Sequence, residues 1–152
     1  GIKTNDELFV DGVMNPDQGR AATKKLLLLP TPPTAIVYAT DMAALGAYKA
    51  ATELGLKIGK EISIISYDGV PEGAYATPPL TTFKVDTKRA GARLTALLIA
   101  RIRGSAAEML RETDSALLDQ GQSEGLPVLS SSELACQINK VKKFQENQTT
   151  KT

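Results

Sequence analysis

The sequence has 152 residues, of which 42% are hydrophobic and 23% charged, a composition typical of one globular domain with a core of its own. Its 18 basic and 17 acidic side chains leave a net charge of +1, which excludes the strongly basic surface that binds nucleic-acid backbones. Histidine is absent and Cys136 is the single cysteine, so histidine-based catalytic triads, Cys/His zinc sites and an internal disulfide are excluded.

Signals for a membrane or for secretion are also missing from the sequence. It contains no apolar run of ~18 residues, the length that crosses a bilayer. It does not begin with the charged and then apolar segments of a signal peptide. We therefore expect a cytoplasmic chain. Because the first residue is Gly1 rather than Met, we also expect it to be a piece of a longer protein.

The first fifth of the chain predicts a short strand and then a helix. Leu8 to Val10 is brief, apolar and bounded by Asp and Gly, as in a β-strand. Asn15, Pro16 and Gln18 form a helix-start signature, with a capping side chain, a proline in the first turn and a glutamine that can bond back to the cap. The helix should run to about residue 29 and cover a sheet with one apolar face, made of Ala21, Ala22, Leu26 and Leu29.

A strand and a second helix follow directly. The continuous apolar run Ala35 to Ala39 favours a parallel strand covered on both faces. Thr40 and Asp41 have side chains suited to the start of a helix, which we predict from Met42 to about Leu54. Gly55 supplies the left-handed residue that ends many helices.

Two more strands and a long helix complete an alternating pattern. Ile62 to Tyr67 is rich in β-forming residues and ends at Asp68-Gly69, a dipeptide favoured in turns. Leu80 to Val85 is the next strand, and a helix from about Thr87 to Arg103 ends before Gly104. Strands alternating with helices indicate an α/β fold with a parallel sheet and right-handed crossovers. The long helix carries a wide apolar stripe, made of Ala90, Leu94, Leu97, Leu98 and Ile102.

The remainder of the chain is less regular. Ala116 to Leu118 predicts one more short strand, and beyond Gly121 the sequence becomes polar. A final helix after residues 130–132 would carry four apolar side chains, Leu134, Ile138, Val141 and Phe144. Because chain ends lose order unless they are packed, we expect this end to be frayed or disordered.

Three stretches, taken in this order and spacing, resemble the LacI/GalR family of bacterial transcriptional regulators. They are residues 33–47 (Pro-Thr-Ala-Ile-Val-Tyr-Ala-Thr-Asp-Met-Ala-Ala-Leu-Gly-Ala), residues 53–68 (Glu-Leu-Gly-Leu through Ile-Ser-Ile-Ile-Ser-Tyr-Asp), and residues 75–82 (Tyr through Pro-Pro-Leu-Thr-Thr). The similarity extends roughly from Leu8 to Gly104, and the tail beyond Gly121 is not informative.

The resemblance implies two periplasmic-binding-protein-like (type I) subdomains with an effector in the cleft between them, and an N-terminal helix-turn-helix that binds operator DNA. Against that fold, this sequence lacks the DNA-binding head, nearly all of the N-terminal subdomain, and the first strands of the C-terminal subdomain. We expect an incomplete α/β fold with a parallel sheet flanked by helices. Its segments would be a partial C-terminal subdomain (1–80), a crossover strand and helix of the N-terminal subdomain (81–104), a return strand (105–121) and a polar tail with a possible short helix (122–152).

Asp68 is the first candidate for effector binding. It follows a predicted parallel strand, and ligands of open α/β sheets bind outside the carboxyl ends of such strands. A carboxylate there can accept hydrogen bonds from adjacent hydroxyls, as in a sugar or a ribose. The resemblance implies the same role, because the matching Asp contacts the effector in members that bind sugars or nucleobases. The alternative is that Asp68-Gly69 only closes a turn.

Thr40, Asp41 and Val85 are further candidates at the same predicted edge. The family usually has Asn-Asp where this sequence has Thr40-Asp41, so a different preferred effector is expected. Asp41 has the alternative role of a plain helix N-cap, which contributes about 1 kcal/mol to stability. Val85 replaces a polar ligand contact of several sugar-responsive relatives, and Gly69 stands where a second Asp is common. Both departures weaken the inference of a sugar.

The resemblance also implies a homodimer interface on residues 42–52 and 72–77. Leu45, Tyr48, Lys49 and Tyr75 are the candidate interface residues, since tyrosine is favoured at interfaces. The alternative is that they are partly exposed on a monomer. The helix at residues 87–103 would belong to the N-terminal subdomain, so we expect it either to pack against another chain or to be poorly ordered.

Three functions remain open from the sequence. The first is the sensing and dimerising part of a repressor, in which a carbohydrate or nucleoside-like effector shifts the population of cleft geometries and so controls operator binding outside these residues. The second is a periplasmic sugar-binding protein of a transporter, which shares the fold. An enzyme using Asp68 or Asp41 is the third and least favoured, because no nucleophile, phosphate loop or metal cluster accompanies them. No cofactor or metal is expected.

Overall fold

A computed structural model describes residues 5–149 and has the α/β fold expected from the sequence. Four strands pair in the order β1-β2-β3-β4: β1 (Ala35–Val37), β2 (Ser63–Asp68), β3 (Thr81–Lys84) and β4 (Leu117–Asp119). The first three are parallel and β4 is antiparallel to β3. The four helices are α1 (Pro16–Leu27), α2 (Asp41–Glu53), α3 (Thr87–Ile102) and α4 (Ser131–Thr149). Within residues 5–149, no helix has the length and apolar character needed to cross a bilayer.

The predicted start of α1 is confirmed in atomic detail. The Asn15 side chain accepts the backbone N–H of Gln18 at 2.9 Å, and the Gln18 side chain accepts the N–H of Asn15 at 3.3 Å. The predicted apolar face is partly wrong, because Ala21 is exposed. The buried face consists of Gly19, Ala22, Thr23, Leu26 and Leu27, since α1 is rotated to bring Gly19 against α2.

Helices α1 and α2 approach each other closely enough that their backbones are in contact. A methyl group at Gly19 would lie 2.0 Å from the carbonyl oxygen of Ala43, and one at Gly46 would lie 1.9 Å from that of Pro16. Glycine is therefore required at both positions by space. Beside this contact, the Glu53 carboxylate accepts from Arg20 and Lys24 of α1 at 2.8 and 2.5 Å.

One face of the sheet packs on these helices and the other is largely exposed. Ile36, Tyr38 and Ile64 are 8%, 5% and 0% exposed and belong to the core. On the opposite face Val37 is 79% exposed. The prediction that both faces of this strand are covered is therefore wrong, because no element among residues 5–149 packs on its outer face.

The predicted strand at Leu8 to Val10 is also wrong. Residues 6–8 form a 3-10 turn in which the Asn5 side chain accepts the N–H of Glu7 at 3.2 Å. A groove of about 400 Å³, lined by residues 8–14 and 35–39 among others, separates this segment from β1. A strand needs a hydrogen-bonding neighbour, and the groove leaves this apolar segment without one.

Helix α3 has no buried residue. Leu94, Leu98 and Ile102 of its apolar stripe are 66%, 60% and 76% exposed. Residues 5–149 therefore do not cover the stripe. The expectation that another chain covers it, or that the helix is poorly ordered, remains a prediction.

The expectation of a frayed or disordered chain end is wrong for the described residues. Helix α4 has 19 residues, and its Leu134 and Ile138 are 0% and 1% exposed as members of the core. Two core side chains one helical turn apart give the tail the packing that a chain end needs in order to be held.

The close contact of α1 and α2 gives a testable prediction with an internal control. Gly19→Ala and Gly46→Ala should each lower the free energy of unfolding by at least about 2 kcal/mol, because the added methyl forces the helices apart. Gly91→Ala in α3 meets nothing within 4 Å and should leave stability unchanged or raise it by up to about 1 kcal/mol through helix propensity. Urea denaturation followed by circular dichroism measures all three, and equal effects at all three positions would contradict this account of the contact.

Candidate functional site

The structure brings the carboxyl ends of β1 and β2 to the same edge of the sheet. The two strands pair in register from Ala35 with Ser63 to Val37 with Ile65. Beyond the paired residues, the Asp41 carboxylate accepts the backbone N–H groups of Gly69 and Val70 at 2.8 and 2.7 Å. The start of α2 and the turn after β2 are therefore joined directly.

The Asp41 carboxylate makes four hydrogen bonds and is 0% exposed. Besides the two amides, its Oδ1 accepts the hydroxyls of Ser66 at 2.6 Å and Thr82 at 2.5 Å. Four donors occupy the acceptor positions that a carboxylate offers. This geometry gives Asp41 a structural role and leaves no free oxygen for an effector. It is also not the N-cap of α2, which is Thr40.

Thr40 lies at the same edge with its hydroxyl already engaged. Its Oγ1 accepts the N–H of Ala43 and donates to the carbonyl oxygen of Met14, both at 3.2 Å. The second bond joins Thr40 to the backbone of Met14, a residue that is 60% exposed.

Asp68 is exposed at the end of β2, with a backbone φ of 130°. Its carbonyl oxygen accepts the N–H of the half-buried Val85 at 3.2 Å, which brings the crossover position to the same edge. Partial burial raises the pKa of the Asp68 carboxyl above its usual range, and the neighbouring Asp41 carboxylate raises it further. A hydrogen bond from the backbone N–H of Asp41 acts in the opposite direction.

Four residues at this edge were not identified from the sequence, namely Ser66, Thr82, Met14 and Lys84. Ser66 and Thr82 are 1% and 3% exposed, and a polar residue inside an apolar strand was the available signal for Ser66. Lys84 pairs in register with Asp68, and its Nζ lies 2.6 Å from Asp119 of β4. No local sequence signal indicated Met14 or Lys84.

The edge is open rather than an enclosed crevice. A groove of about 400 Å³ lies on the Met14 side, and one of about 350 Å³ lies on the side of Gly69 and Lys84. Neither groove is lined by Thr40 or Asp68. Across the part of the chain that the structure describes, no three Cys, Asp or Glu side chains converge as metal ligands would.

The predicted interface residues lie along α2 and the following loop. Lys49 is exposed and Tyr75 is 87% exposed, whereas Leu45 and Tyr48 are half-buried. The Tyr48 hydroxyl donates to the carbonyl oxygen of Pro78 at 2.8 Å, which ties α2 to the loop before β3. Burial raises the pKa of Tyr48 to about 12, so this hydroxyl remains a donor.

Comparison with known proteins identifies a matching domain family and related transcriptional repressors. The family of periplasmic binding protein-like domains matches residues 4–123. The HTH-type transcriptional repressor PurR of Pasteurella multocida is 38% identical over 108 residues, which are 71% of this chain and 32% of the repressor. The chain thus spans about a third of the length of this curated relative.

Solved structures agree with the sequence relatives. A regulatory protein of the LacI family from Chloroflexus aggregans superposes with a TM-score of 0.65 at 36% identity, covering 76% of this chain and 41% of that one. The lac repressor dimer bound to operator and the anti-inducer ONPF superposes with a TM-score of 0.66 at 30% identity, covering 74% and 39%.

The hydrogen bonds of Asp41 predict a graded response to substitution. Asp41→Ala should lower the free energy of unfolding by about 3–5 kcal/mol, because it leaves two partly buried amides and two buried hydroxyls without their acceptor. Asp41→Asn should cost less, about 1–2 kcal/mol, since its one oxygen can face the amides while the hydroxyls turn to accept from its NH₂ group. Urea denaturation measures both variants, and equal losses for Asn and Ala would contradict this assignment.

The raised pKa of Asp68 predicts a pH-dependent effect of Asp68→Asn. A carboxyl whose folded pKa exceeds its unfolded value, about 3.9, contributes stability below the unfolded pKa and loses it as the pH rises through the folded pKa. At pH 7 the wild-type charge is therefore unfavourable, and Asp68→Asn should raise the Tm. The gain should shrink as the pH falls towards the unfolded pKa. Thermal melts of both proteins across this range test the sign, and a Tm gain that grows on acidification would refute it.

Proposed function

The chain belongs to the periplasmic binding protein-like domain family as it occurs in LacI/GalR-type transcriptional regulators, and on this premise we propose that it senses a small-molecule effector at the carboxyl edge of β1, β2 and β3. The effector is of the carbohydrate or nucleoside class. The observation that carries the proposal is the convergence of Thr40, Asp68 and Val85 on this one edge, where Asp68 presents an exposed carboxylate.

The chemistry of Asp68 supports this ligand class. A carboxylate can accept hydrogen bonds from two adjacent hydroxyls, which sugars and ribose both carry. The groove on the Met14 side of this edge is lined by apolar residues that include Met14, Val37 and Ala39, which suit a sugar face or a base. Because the edge is open, we propose that a second subdomain of the whole regulator provides the opposite wall of the cleft.

In the whole regulator, effector binding would control attachment to operator DNA through a helix-turn-helix outside these residues. The relative from Pasteurella multocida is named an HTH-type repressor, and the lac repressor structure is a dimer bound to operator. We propose a homodimer that uses Leu45, Tyr48, Lys49 and Tyr75. Because α2 starts at the effector edge, a change there could alter dimer geometry and shift the population that binds DNA.

We further propose that the protein acts in the cytoplasm, without a cofactor and without catalytic activity. The named relatives are a transcriptional repressor and LacI-family regulators, which supports this function over that of a secreted sugar-binding protein. Val85 and Gly69 stand where polar side chains are common in sugar-responsive members, which supports testing nucleosides beside sugars.

Titration calorimetry of the full-length regulator against a panel of sugars and nucleosides tests the proposal. Once a ligand is found, Asp68→Asn should weaken its binding at least tenfold, about 1.4 kcal/mol, because an amide accepts fewer hydrogen bonds. The matched control is Glu108→Gln, which removes one exposed carboxylate charge from the 3-10 turn at Ala107–Met109.

Three outcomes would contradict parts of the proposal. Unchanged affinity of Asp68→Asn would remove Asp68 from the site. Binding by neither ligand class would refute the proposed chemistry. Operator affinity that does not respond to a bound effector would refute the regulatory role.

A further inference from the structure

Helix α4 lies outside the part of the chain that the family matches, which ends at residue 123. It packs at the end of the subdomain opposite the candidate site. The site lies at the start of α2, whereas α4 contacts the carbonyl oxygen of Glu53 at the end of α2 and the side chain of Glu61 before β2. This packing is independent of the proposed effector.

Apolar contacts seat α4 on the core. Leu134 and Ile138 are 0% and 1% exposed, and they belong to the same core cluster as Ala43 and Ala44 near the candidate site. Val141, one turn further along, has its Cγ2 3.4 Å from the position that a methyl group would take at Gly55. One continuous core therefore extends from α4 to the start of α2.

Two glutamines add polar contacts that need α4 to be helical and docked. The Gln145 Nε2 donates to the carbonyl oxygen of Glu53 at 2.9 Å. This oxygen is one of the last carbonyls of α2, which have no partner within their own helix. The Gln137 Nε2 donates to Oε1 of Glu61 at 3.1 Å, while Oε2 of Glu61 accepts the N–H of Lys57 at 2.7 Å. Helix α4 thus supports both the end of α2 and the turn before β2.

Helix α4 begins with a capping box formed by residues outside the core. The Glu133 carboxylate accepts the N–H of Ser130 at 2.8 Å, and Ser130 Oγ accepts the N–H of Glu133 at 3.4 Å. Both residues are exposed. The start of the helix can therefore be weakened without removing any buried atom.

We propose that α4 is an intramolecular brace that holds the far end of α2 and the entry to β2 in place, so that these elements and α4 unfold as one cooperative unit. The distinctive consequence is that loosening α4 loosens residues 53–62, which lie far from α4 in sequence and are joined to it only by tertiary contacts.

The exposed Cys136 on α4, the sole cysteine of the sequence, allows the first test. An environment-sensitive fluorophore attached there reports α4, while far-ultraviolet circular dichroism reports the whole chain. The two urea transitions should coincide, as expected for a single cooperative unit. A fluorophore transition complete at clearly lower urea would show that α4 detaches independently and would overturn the proposal.

Native-state hydrogen exchange of the double variant Ser130→Ala/Glu133→Ala provides the second test. Amide exchange at residues 53–62 should rise at least fivefold, together with exchange in α4 itself. The control is Asp86→Ala, which removes the N-cap of α3, a helix with no buried residue; its effect should stay within α3. Faster exchange confined to α4 in the double variant would overturn the proposal.

Two packing variants of α4 provide a third test. Ile138→Val removes one buried methylene and should speed exchange at residues 53–62, whereas Phe144→Ala, at a position 65% exposed, should not. An equal effect of the two variants would contradict docking through the buried face of α4.

Discussion

The four hydrogen bonds of the Asp41 carboxylate set the geometry on which the rest of this structure depends. They join the first turn of α2 to Ser66 of β2, Thr82 of β3 and the turn at Gly69 and Val70. A buried carboxylate is tolerated only when its acceptor positions are filled. The relative positions of three elements are therefore determined together, and the edge that carries the candidate site is placed by this one side chain.

Two neighbouring carboxyl groups consequently have different roles. Asp41 is buried and saturated, whereas Asp68 is exposed and has a raised pKa to which the charge of Asp41 contributes. The partial burial of Asp68 and the nearby charge of Asp41 both oppose stability at neutral pH. The proposed effector would find in Asp68 an exposed carboxylate that accepts a hydrogen bond from the backbone of Asp41 and has further acceptor positions.

Helix α2 carries residues of both the proposed effector site and the proposed interface. Its start is capped by Thr40 and carries Asp41, its middle carries Tyr48 and Lys49 of the proposed interface, and its end accepts a hydrogen bond from Gln145 of α4. Contact with α1 at Gly19 and Gly46 leaves this helix little freedom to shift. A proposed signal from the effector edge to the dimer would therefore involve α2 as a rigid element.

The sequence by itself determined the elements whose causes are local. Local signals act over a few residues, as in the capping box at Asn15 and Gln18, the apolar strand segments and the glycines that end α2 and α3. The family resemblance then suggested which residues to consider as candidates for effector binding. Only the tertiary structure decided the roles that depend on distant partners. Ser66 and Thr82, which bind Asp41, lie 25 and 41 positions from it in the sequence. The segment at Leu8 has no neighbouring strand within residues 5–149 to pair with. The polar tail forms a helix whose apolar residues pack on the core. Contacts between residues that are far apart in the sequence produce no local sequence pattern, because only folding brings those residues together.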